Sequence, residues 1–181
     1  MQFYFIGGLG GNSYHLAPLI EKLGFPVTFL DPYRKMIQTE NDLRAWFQEQ
    51  IGQVEEICLF GHSLGGDLAR YLATEFPQIQ ALILLDGGYM DMEKILPLEE
   101  ELDGTLSFMQ QQVFATLEEA MLSELGEEAD PTPIARKAVE ASYRWNPVSE
   151  QYELNLDLEK ILALLRLRRQ MKTYQIPLAA A

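Results

Sequence analysis

The sequence predicts an α/β fold, a three-layer α/β/α sandwich built on a mostly parallel sheet. Four short apolar runs of the kind found in buried parallel strands alternate with amphipathic helical segments over residues 1–88. Each run ends at glycine, proline or aspartate, as loops at the carboxyl ends of parallel strands commonly do. Residues 90–150 show helical stretches and no convincing strand, which predicts a helical insertion.

The first unit is an apolar run at 3–6, a glycine-rich loop at 7–11 and a helix capped by Asn12 or Ser13 that ends at Gly24. Strand, glycine turn and helix also describe a dinucleotide-binding fold. However, Gly-x-Gly-x-x-Gly is not completed here, and only Asp31 approaches the position of the acidic residue that such a fold uses. Dinucleotide binding is therefore a minor alternative, and no cofactor is expected.

The second unit begins with a strand at 26–30, closed by Asp31, which we interpret as a turn or capping residue. A helix is predicted from about Thr39, because acidic residues occupy its first turn. Its apolar residues fall on one face: Leu43, Trp46, Phe47 and Ile51.

The third unit places Gly61-His62-Ser63-Leu64-Gly65 between an apolar strand and a helix that runs to Phe76. Gly-x-Ser-x-Gly in this context is the pattern of a nucleophile elbow, where a strained turn exposes a serine hydroxyl. Gly61 and Gly65 allow strand and helix to pack closely, and the amides at the helix N-terminus favour negative charge. Asp67 is expected to face away from this site along the helix. A fourth strand at 81–85 ends at Asp86.

Helical stretches follow around 106–121 and 134–143, joined by a polar, proline-marked connection at 126–133. A long helix is marked by apolar residues from Leu156 to Leu167, with cations near its C-terminal half. We therefore predict a core of residues 1–88 and 151–181 and a helical cap of residues 89–150.

Composition limits the functional classes. The 181-residue chain has a net charge of −13, and residues 91–130 alone carry 12 acidic side chains against one basic one. This acidity argues against nucleic-acid binding, which needs clustered Lys and Arg.

The single cysteine, Cys58, suits a reducing compartment. No signal peptide or membrane-spanning run is readable, so a cytoplasmic protein is expected. Two histidines far apart give no metal-ligand spacing.

Together these motifs resemble the α/β-hydrolase superfamily. Residues 61–66 match its nucleophile elbow, the 7–11 loop resembles its oxyanion loop, and residues 174–178 resemble the approach to the strand after the cap. The resemblance implies that Ser63 is an acyl-accepting nucleophile and that the amides of Leu9 and Leu64 form the oxyanion hole. It further places the substrate beside Gly8, His62 and Tyr89.

The sequence departs from this family in the triad. The family orders its residues Ser, then Asp or Glu, then His, but His15 and His62 both precede Ser63. The chain would then be a fragment with a truncated C-terminal end, or a protein that has lost its base. His15 is a minor candidate for an unorthodox base. Asp86 is a candidate acid, although in the family the acid more often follows the next strand.

We therefore predict a serine hydrolase that cleaves an ester, thioester or similar small acyl substrate through an acyl-enzyme on Ser63. The main alternative is an incompetent, hydrolase-like binding module, and an acidic partner-binding segment at 90–130 ranks last. Apolar cap residues either line an acyl pocket or only form the core between the cap and the sheet, and the core is the favoured reading. These are Met90, Met92, Phe108, Met109, Phe114 and Met121.

Overall fold

The computed structural model describes residues 1–126 and 131–175. Its main sheet has four parallel strands in the order β2-β1-β3-β4. The strands are β1 (Gln2–Ile6), β2 (Thr28–Leu30), β3 (Ile57–His62) and β4 (Ile79–Leu85). All four lie where the sequence predicts them. The residues from Ile176 onwards, which include most of the predicted approach to a further strand, lie outside the described part of the chain.

Helices connect and cover these strands. In chain order, the α-helices of the described residues are α1 (Ser13–Leu23), α2 (Glu40–Ile51), α3 (Leu64–Glu75), α4 (Met92–Ile95), α5 (Leu98–Gln111), α6 (Leu117–Leu125), α7 (Pro133–Ser142) and α8 (Leu158–Met171). Short 3-10 helices occupy Pro32–Arg34 and Thr173–Gln175.

The main sheet has a hydrophobic core on each face. On one face, the side chains of Phe5 and Phe60 pack with Leu16 of α1. On the other face, a larger core joins the sheet to α2, α3 and α8, with Phe47 and Leu164 fully buried. The predicted three-layer α/β/α arrangement is therefore confirmed.

Local signals fix the helix ends as expected. Asn12 caps α1 by accepting hydrogen bonds from the amides of Tyr14 and His15, and Gly24 ends the helix at φ 72°. Thr39 caps α2 in a capping box with Asp42. Asp31 accepts a hydrogen bond from the amide of Tyr33, which is the turn role predicted for it.

The prediction that residues 90–150 contain no strand is wrong. Three short strands form a separate antiparallel sheet in the order β5-β7-β6. They are β5 (Val113–Phe114), β6 (Tyr143–Asn146) and β7 (Gln151–Leu154). The predicted boundary between residues 150 and 151 consequently falls where the turn after β6 meets β7, so it separates two paired strands.

The helix predicted around 106–121 is likewise two helices. α5 ends at Gln111, and Thr116 caps α6 by accepting a hydrogen bond from the amide of Glu119. Val113 and Phe114 between them are strong strand formers, and β7 supplies the partner that their backbone needs. Helical spacing of apolar residues across this break concealed the interruption.

Candidate active site

The backbone at Ser63 has the strained conformation expected of a nucleophile elbow. Its φ is 52° and its ψ is −126°, a region that side-chain-bearing residues avoid. The Ser63 amide donates a hydrogen bond to the carbonyl of Leu85 over 3.1 Å, and the Ser63 carbonyl accepts one from Gly66 over 2.8 Å. The neighbouring strand and the start of α3 thus hold the turn from both sides.

Glycines around the elbow are required by close backbone contacts. A β-carbon at Gly61 would lie 2.6 Å from the Cα of Gly66. A β-carbon at Gly65 would collide with the carbonyl oxygens of Ile6 and Gly7. Helix α3 therefore packs directly on the backbones of β3 and β1, which explains the small residues on either side of Ser63.

The glycine-rich loop after β1 reaches the serine. A β-carbon at Gly8 would lie 3.1 Å from the Cβ of Ser63 and 3.1 Å from Nδ1 of His62. The loop closes through a hydrogen bond from the amide of Gly11 to the carbonyl of Gly8 over 3.0 Å. The hydroxyl of the buried Tyr33 also holds this loop in place, because it donates a hydrogen bond to the carbonyl of Gly7 over 2.8 Å.

The two amides expected to form the oxyanion hole belong to the two segments that meet at Ser63. Leu9 lies in the glycine-rich loop, and Leu64 is the first residue of α3. The amide of a first helical residue has no acceptor within its own helix, so that of Leu64 is available to an anion. The arrangement is compatible with an oxyanion hole, and the role of these amides stays a prediction.

Asp86 lies at the end of β4, beside the elbow but without a histidine partner. It is exposed, with φ 50°. The next residue, Gly87, passes so close to the elbow that a β-carbon there would lie 2.7 Å from the Cα of Ser63. Among residues 1–126 and 131–175, no histidine is hydrogen-bonded to Asp86 or to Ser63. The role of Asp86 as the acid therefore stays a prediction.

The expected substrate-binding residues flank the serine to different degrees. Gly8 is buried against Ser63, whereas His62 is exposed and its ring lies beside Gly8. Tyr89 has 53% of its surface exposed. Gly8 and His62 are thus brought together at the serine, and a contact with substrate stays a prediction for all three.

His15 has a structural role in α1. Its Nδ1 accepts a hydrogen bond from the amide of Asn12 over 3.2 Å, which completes the capping box of the helix. Burial lowers the pKa of His15, and the negative charge of Glu124 partly opposes this shift. His15 is therefore a neutral side chain near pH 7 whose Nδ1 is already occupied, which weakens its candidacy as a base.

A cleft of about 290 Å³ opens between the glycine-rich loop and the cap. Leu9, Gly10 and Gly11 form its wall on the core side. The remaining lining residues are His15 from α1 and Phe108, Glu124, Ser142, Leu154 and Leu156 from the cap and its exit. This is the size of a small-molecule site, and it adjoins the loop that contacts Ser63.

A second cavity of about 180 Å³ lies between α1 and the cap helices α6 and α7. It shares His15 and Glu124 with the larger cleft, and its other lining residues are mostly apolar. His15 and Glu124 therefore stand where the two spaces adjoin.

Three of the six apolar cap residues serve the cap's own core. Met109, Phe114 and Met121 pack around the buried Val139 and Tyr143, whereas the favoured interpretation of their spacing places them between the cap and the sheet. Phe108 lines the larger cleft. Met90 and Met92 instead border a small space beside Arg168.

A buried ionic network joins the cap to the elbow helix. Glu101 of α5 forms ion pairs with Arg168 and Arg169 of α8, the latter at 2.7 Å. Arg168 lies 3.7 Å from Asp67 of α3, and Thr173 donates to the same carboxylate over 3.0 Å. Burial raises the pKa of Asp67, and the positive charge of Arg168 opposes this. Asp67 thus faces α8.

Sequence reasoning missed several residues that shape the site. Asn12 donates from Nδ2 to the carbonyl of Ala138 over 2.9 Å and to the hydroxyl of Ser142 over 3.0 Å, so it connects the glycine-rich loop to α7. Sequence reasoning also missed Glu124, which lines the cleft, and Tyr33, whose hydroxyl holds the glycine-rich loop. The local pattern marks Asn12 only as a helix cap, and it does not mark Glu124 or Tyr33, because the partners of these residues are far away in the sequence.

Within the described ranges, no group of three or more His, Cys, Asp and Glu side chains is placed to hold a metal ion. No described helix has the length and apolar character that crossing a bilayer requires.

Comparison with known proteins defines the class. The sequence profile of the family described as alpha/beta hydrolase fold matches residues 34–171. The chain therefore belongs to the α/β-hydrolase fold family. No curated protein matches the sequence.

Solved structures share this fold at low sequence identity. An E-2-(acetamidomethylene)succinate hydrolase is similar at a TM-score of 0.62 and 18% identity, over 93% of this chain and 65% of that one. An esterase from a marine microorganism matches at 0.56 and 16%, over 91% and 69%. A thioesterase domain from the curacin biosynthetic pathway matches at 0.55 and 17%, over 97% and 71%. The chain thus spans about two thirds of their length.

Proposed function

We propose that this protein is a serine hydrolase that cleaves an ester, thioester or similar acyl bond in a small molecule. The strained backbone of Ser63, with φ 52° at the junction of β3 and α3, is the observation that carries the proposal. A side-chain-bearing residue in this conformation costs stability, and the surrounding packing maintains it where exposure of the hydroxyl is useful. The hydrolase, esterase and thioesterase named among the similar structures support the same reaction class.

The reaction would proceed in two steps. The Ser63 oxygen bonds to the acyl carbon while the amides of Leu9 and Leu64 hold the oxyanion, and the alcohol or thiol leaves with the proton that Ser63 loses. Water then attacks the acyl-enzyme, releasing the acid and returning a proton to Ser63. Both steps need a base, and its identity is left open. We place this activity in the cytoplasm, in keeping with the free, buried Cys58.

A fluorophosphonate probe tests the proposal, because it reacts only with an activated serine. We expect a one-to-one covalent adduct by intact-mass measurement, located by peptide mapping on Ser63. The matched variant Ser63→Ala should show no adduct while retaining the circular dichroism spectrum and the Tm of the wild type to within a few degrees.

The alternative is a hydrolase-like module that binds small molecules without cleaving them. The engagement of His15 Nδ1 by the Asn12 amide favours this alternative, because it removes one of the two histidines of the chain from an obvious role as base. A wild type that stays unlabelled after prolonged exposure to the probe would support the binding module and contradict the hydrolase.

A further inference from the structure

We propose that the 290 Å³ cleft receives the acyl part of the substrate and that Glu124 makes it select an acyl group ending in a protonated amine. This inference rests on the proposed role of Ser63 and adds the chemistry of the group that Ser63 would carry. The ligand is thus an ω-amino acyl ester or thioester.

The position of the cleft follows from the loop that forms its wall. If the Leu9 amide holds the carbonyl oxygen, the acyl carbon lies at the glycine-rich loop, between Ser63 and the cleft. The residues after Gly8 line the cleft, while Gly8 itself contacts Ser63. The chain of the acyl group would therefore extend from the serine along this loop into the cleft.

The lining of the cleft divides by polarity. Leu9, Phe108, Leu154 and Leu156 are apolar and suit the methylene groups of an acyl chain. Leu156 is close to the loop, because a β-carbon at Gly10 would lie 3.9 Å from its Cδ1. The polar side chains of the lining are those of His15, Glu124 and Ser142.

Two of these polar side chains already have partners. Nδ1 of His15 accepts from the Asn12 amide, and the hydroxyl of Ser142 donates to the carbonyl of Ala138 over 2.9 Å while accepting from the Asn12 side chain. His15 is neutral near pH 7 because burial lowers its pKa. Neither side chain therefore gives the cleft a charge.

Glu124 gives the cleft a negative charge and can accept further hydrogen bonds. Its Oε1 accepts a hydrogen bond from the Tyr143 hydroxyl over 2.8 Å. Within residues 1–126 and 131–175, no side chain donates to its Oε2. A carboxylate offers about four acceptor positions, so Glu124 can bind further donors, which a protonated amine provides.

The residues around Glu124 add to the negative charge of the cleft. No lysine or arginine is among the residues that line the cleft. Residues 91–130, to which Glu124 belongs, carry 12 acidic side chains and one basic one. The resulting potential attracts a cationic acyl group and repels one that ends in a carboxylate.

Three 4-nitrophenyl esters of matched chain length test the preference: the 6-aminohexanoate, the hexanoate and the monoester of adipic acid. At pH 7.5 and low salt, kcat/KM should fall in that order, with the amino ester about fivefold above the neutral one, the scale of an exposed ion pair. The difference should shrink in 0.5 M NaCl because salt screens exposed charges.

Glu124→Gln is the decisive variant, since glutamine keeps an oxygen for the Tyr143 hydroxyl and removes only the charge. It should lower the ratio of the amino-ester rate to the hexanoate rate from about five to about one. Glu118→Gln is the matched control, because Glu118 is an exposed residue of the same helix that does not line the cleft. It should retain the wild-type preference.

Binding to Ser63→Ala, measured by calorimetry with the same esters, separates this inference from the proposed function. Tighter binding of the amino ester that Glu124→Gln abolishes would support the cleft assignment even if the wild type has no activity. Hydrolysis of all three esters at equal rates would overturn the inference and leave the hydrolase proposal intact. Equal binding of the three esters to Ser63→Ala would also overturn it.

Discussion

The elbow and the cap are attached to the sheet by different kinds of contact. At the elbow, backbone packs against backbone, and glycines are required because no side chain fits at Gly61 or Gly65. The cap is joined to the core through side chains: Leu102 of α5 is buried in the main core, and Asn12, Arg34 and Glu101 make polar contacts. Close backbone packing therefore fixes the position of Ser63, whereas side-chain contacts, each open to substitution, hold the segment predicted to be the cap.

Those polar contacts are spread over the cap. Asn12 reaches α7, and Glu101 joins α5 to α8. Arg34 donates to the backbone carbonyl of Asn155 over 2.6 Å and to its side-chain oxygen over 3.1 Å, just after β7. Matched substitutions in the elbow and in the cap test whether the two regions differ in this way.

The largest effect is expected from Gly65→Ala in the elbow. The new methyl group would overlap the carbonyl oxygens of Ile6 and Gly7, so α3 must move away from the sheet. We expect a loss of at least about 3 kcal/mol in the free energy of unfolding, measured by urea denaturation.

Gly104→Ala in the cap is the matched control. Nothing lies within 4 Å of a β-carbon at Gly104, which is inside α5, so alanine should raise stability by about 0.5–1 kcal/mol. Equal effects of the two substitutions would contradict the distinction between the elbow and the cap.

Glu101→Gln should come next in size. It removes the charge that two buried arginines share, so that Arg169 loses its carboxylate and Arg168 keeps only the more distant Asp67, at 3.7 Å. Breaking a buried pair in this way costs about 3 kcal/mol, which thermal unfolding would register. Glu100→Gln, one position earlier and exposed, should change stability by less than about 0.5 kcal/mol. A large effect of Glu100→Gln would show that helix charge, and not the network, is responsible.

Asn12→Asp isolates the tether between the glycine-rich loop and α7. Aspartate keeps the side-chain oxygen that caps α1 but loses the donor that reaches Ala138 and Ser142. We expect a loss of about 1–2 kcal/mol and faster amide hydrogen exchange in α7, with α1 protected as before. Unchanged exchange in α7 would mean that the tether does not hold the cap.

The smallest expected effect is the contribution of His15 to the pH dependence of stability. Because burial lowers the pKa of His15 below its usual 6.5, the unfolded chain binds a proton at a higher pH than the folded one. The free energy of unfolding should then fall as pH drops below about 6.5, in the window down to the lowered pKa. His15→Gln should flatten this slope in denaturation curves recorded between pH 5 and 7. An identical slope in both proteins would remove His15 as its source.

Local signals explain what the sequence predicts well. The strands of the main sheet, the caps of α1 and α2 and the elbow depend on residues close together in the chain, such as Asn12, Gly24 and Gly61. The cap sheet was missed because its strands are short and take their stability from pairing, as Val113 and Phe114 do with β7.

The site was predictable only where it is local. Gly-x-Ser-x-Gly locates Ser63, and the glycine-rich loop after β1 does reach it. By contrast, Asn12 and Ser142 are 130 residues apart, and Glu124 reaches the cleft because α6 packs on α7, which in turn contacts α1. Such contacts arise from the way the cap docks on the core, which no local spacing encodes.

The conformation of Ser63 means that the protein is less stable with its serine than it need be. Glycine adopts the backbone angles of Ser63, φ 52° and ψ −126°, at little cost, whereas serine is strained there. A survey of variants chosen only for stability would therefore favour Ser63→Gly at this position and discard the hydroxyl group. A serine at this position therefore costs stability that glycine would not, as the proposed catalytic role of its hydroxyl group requires.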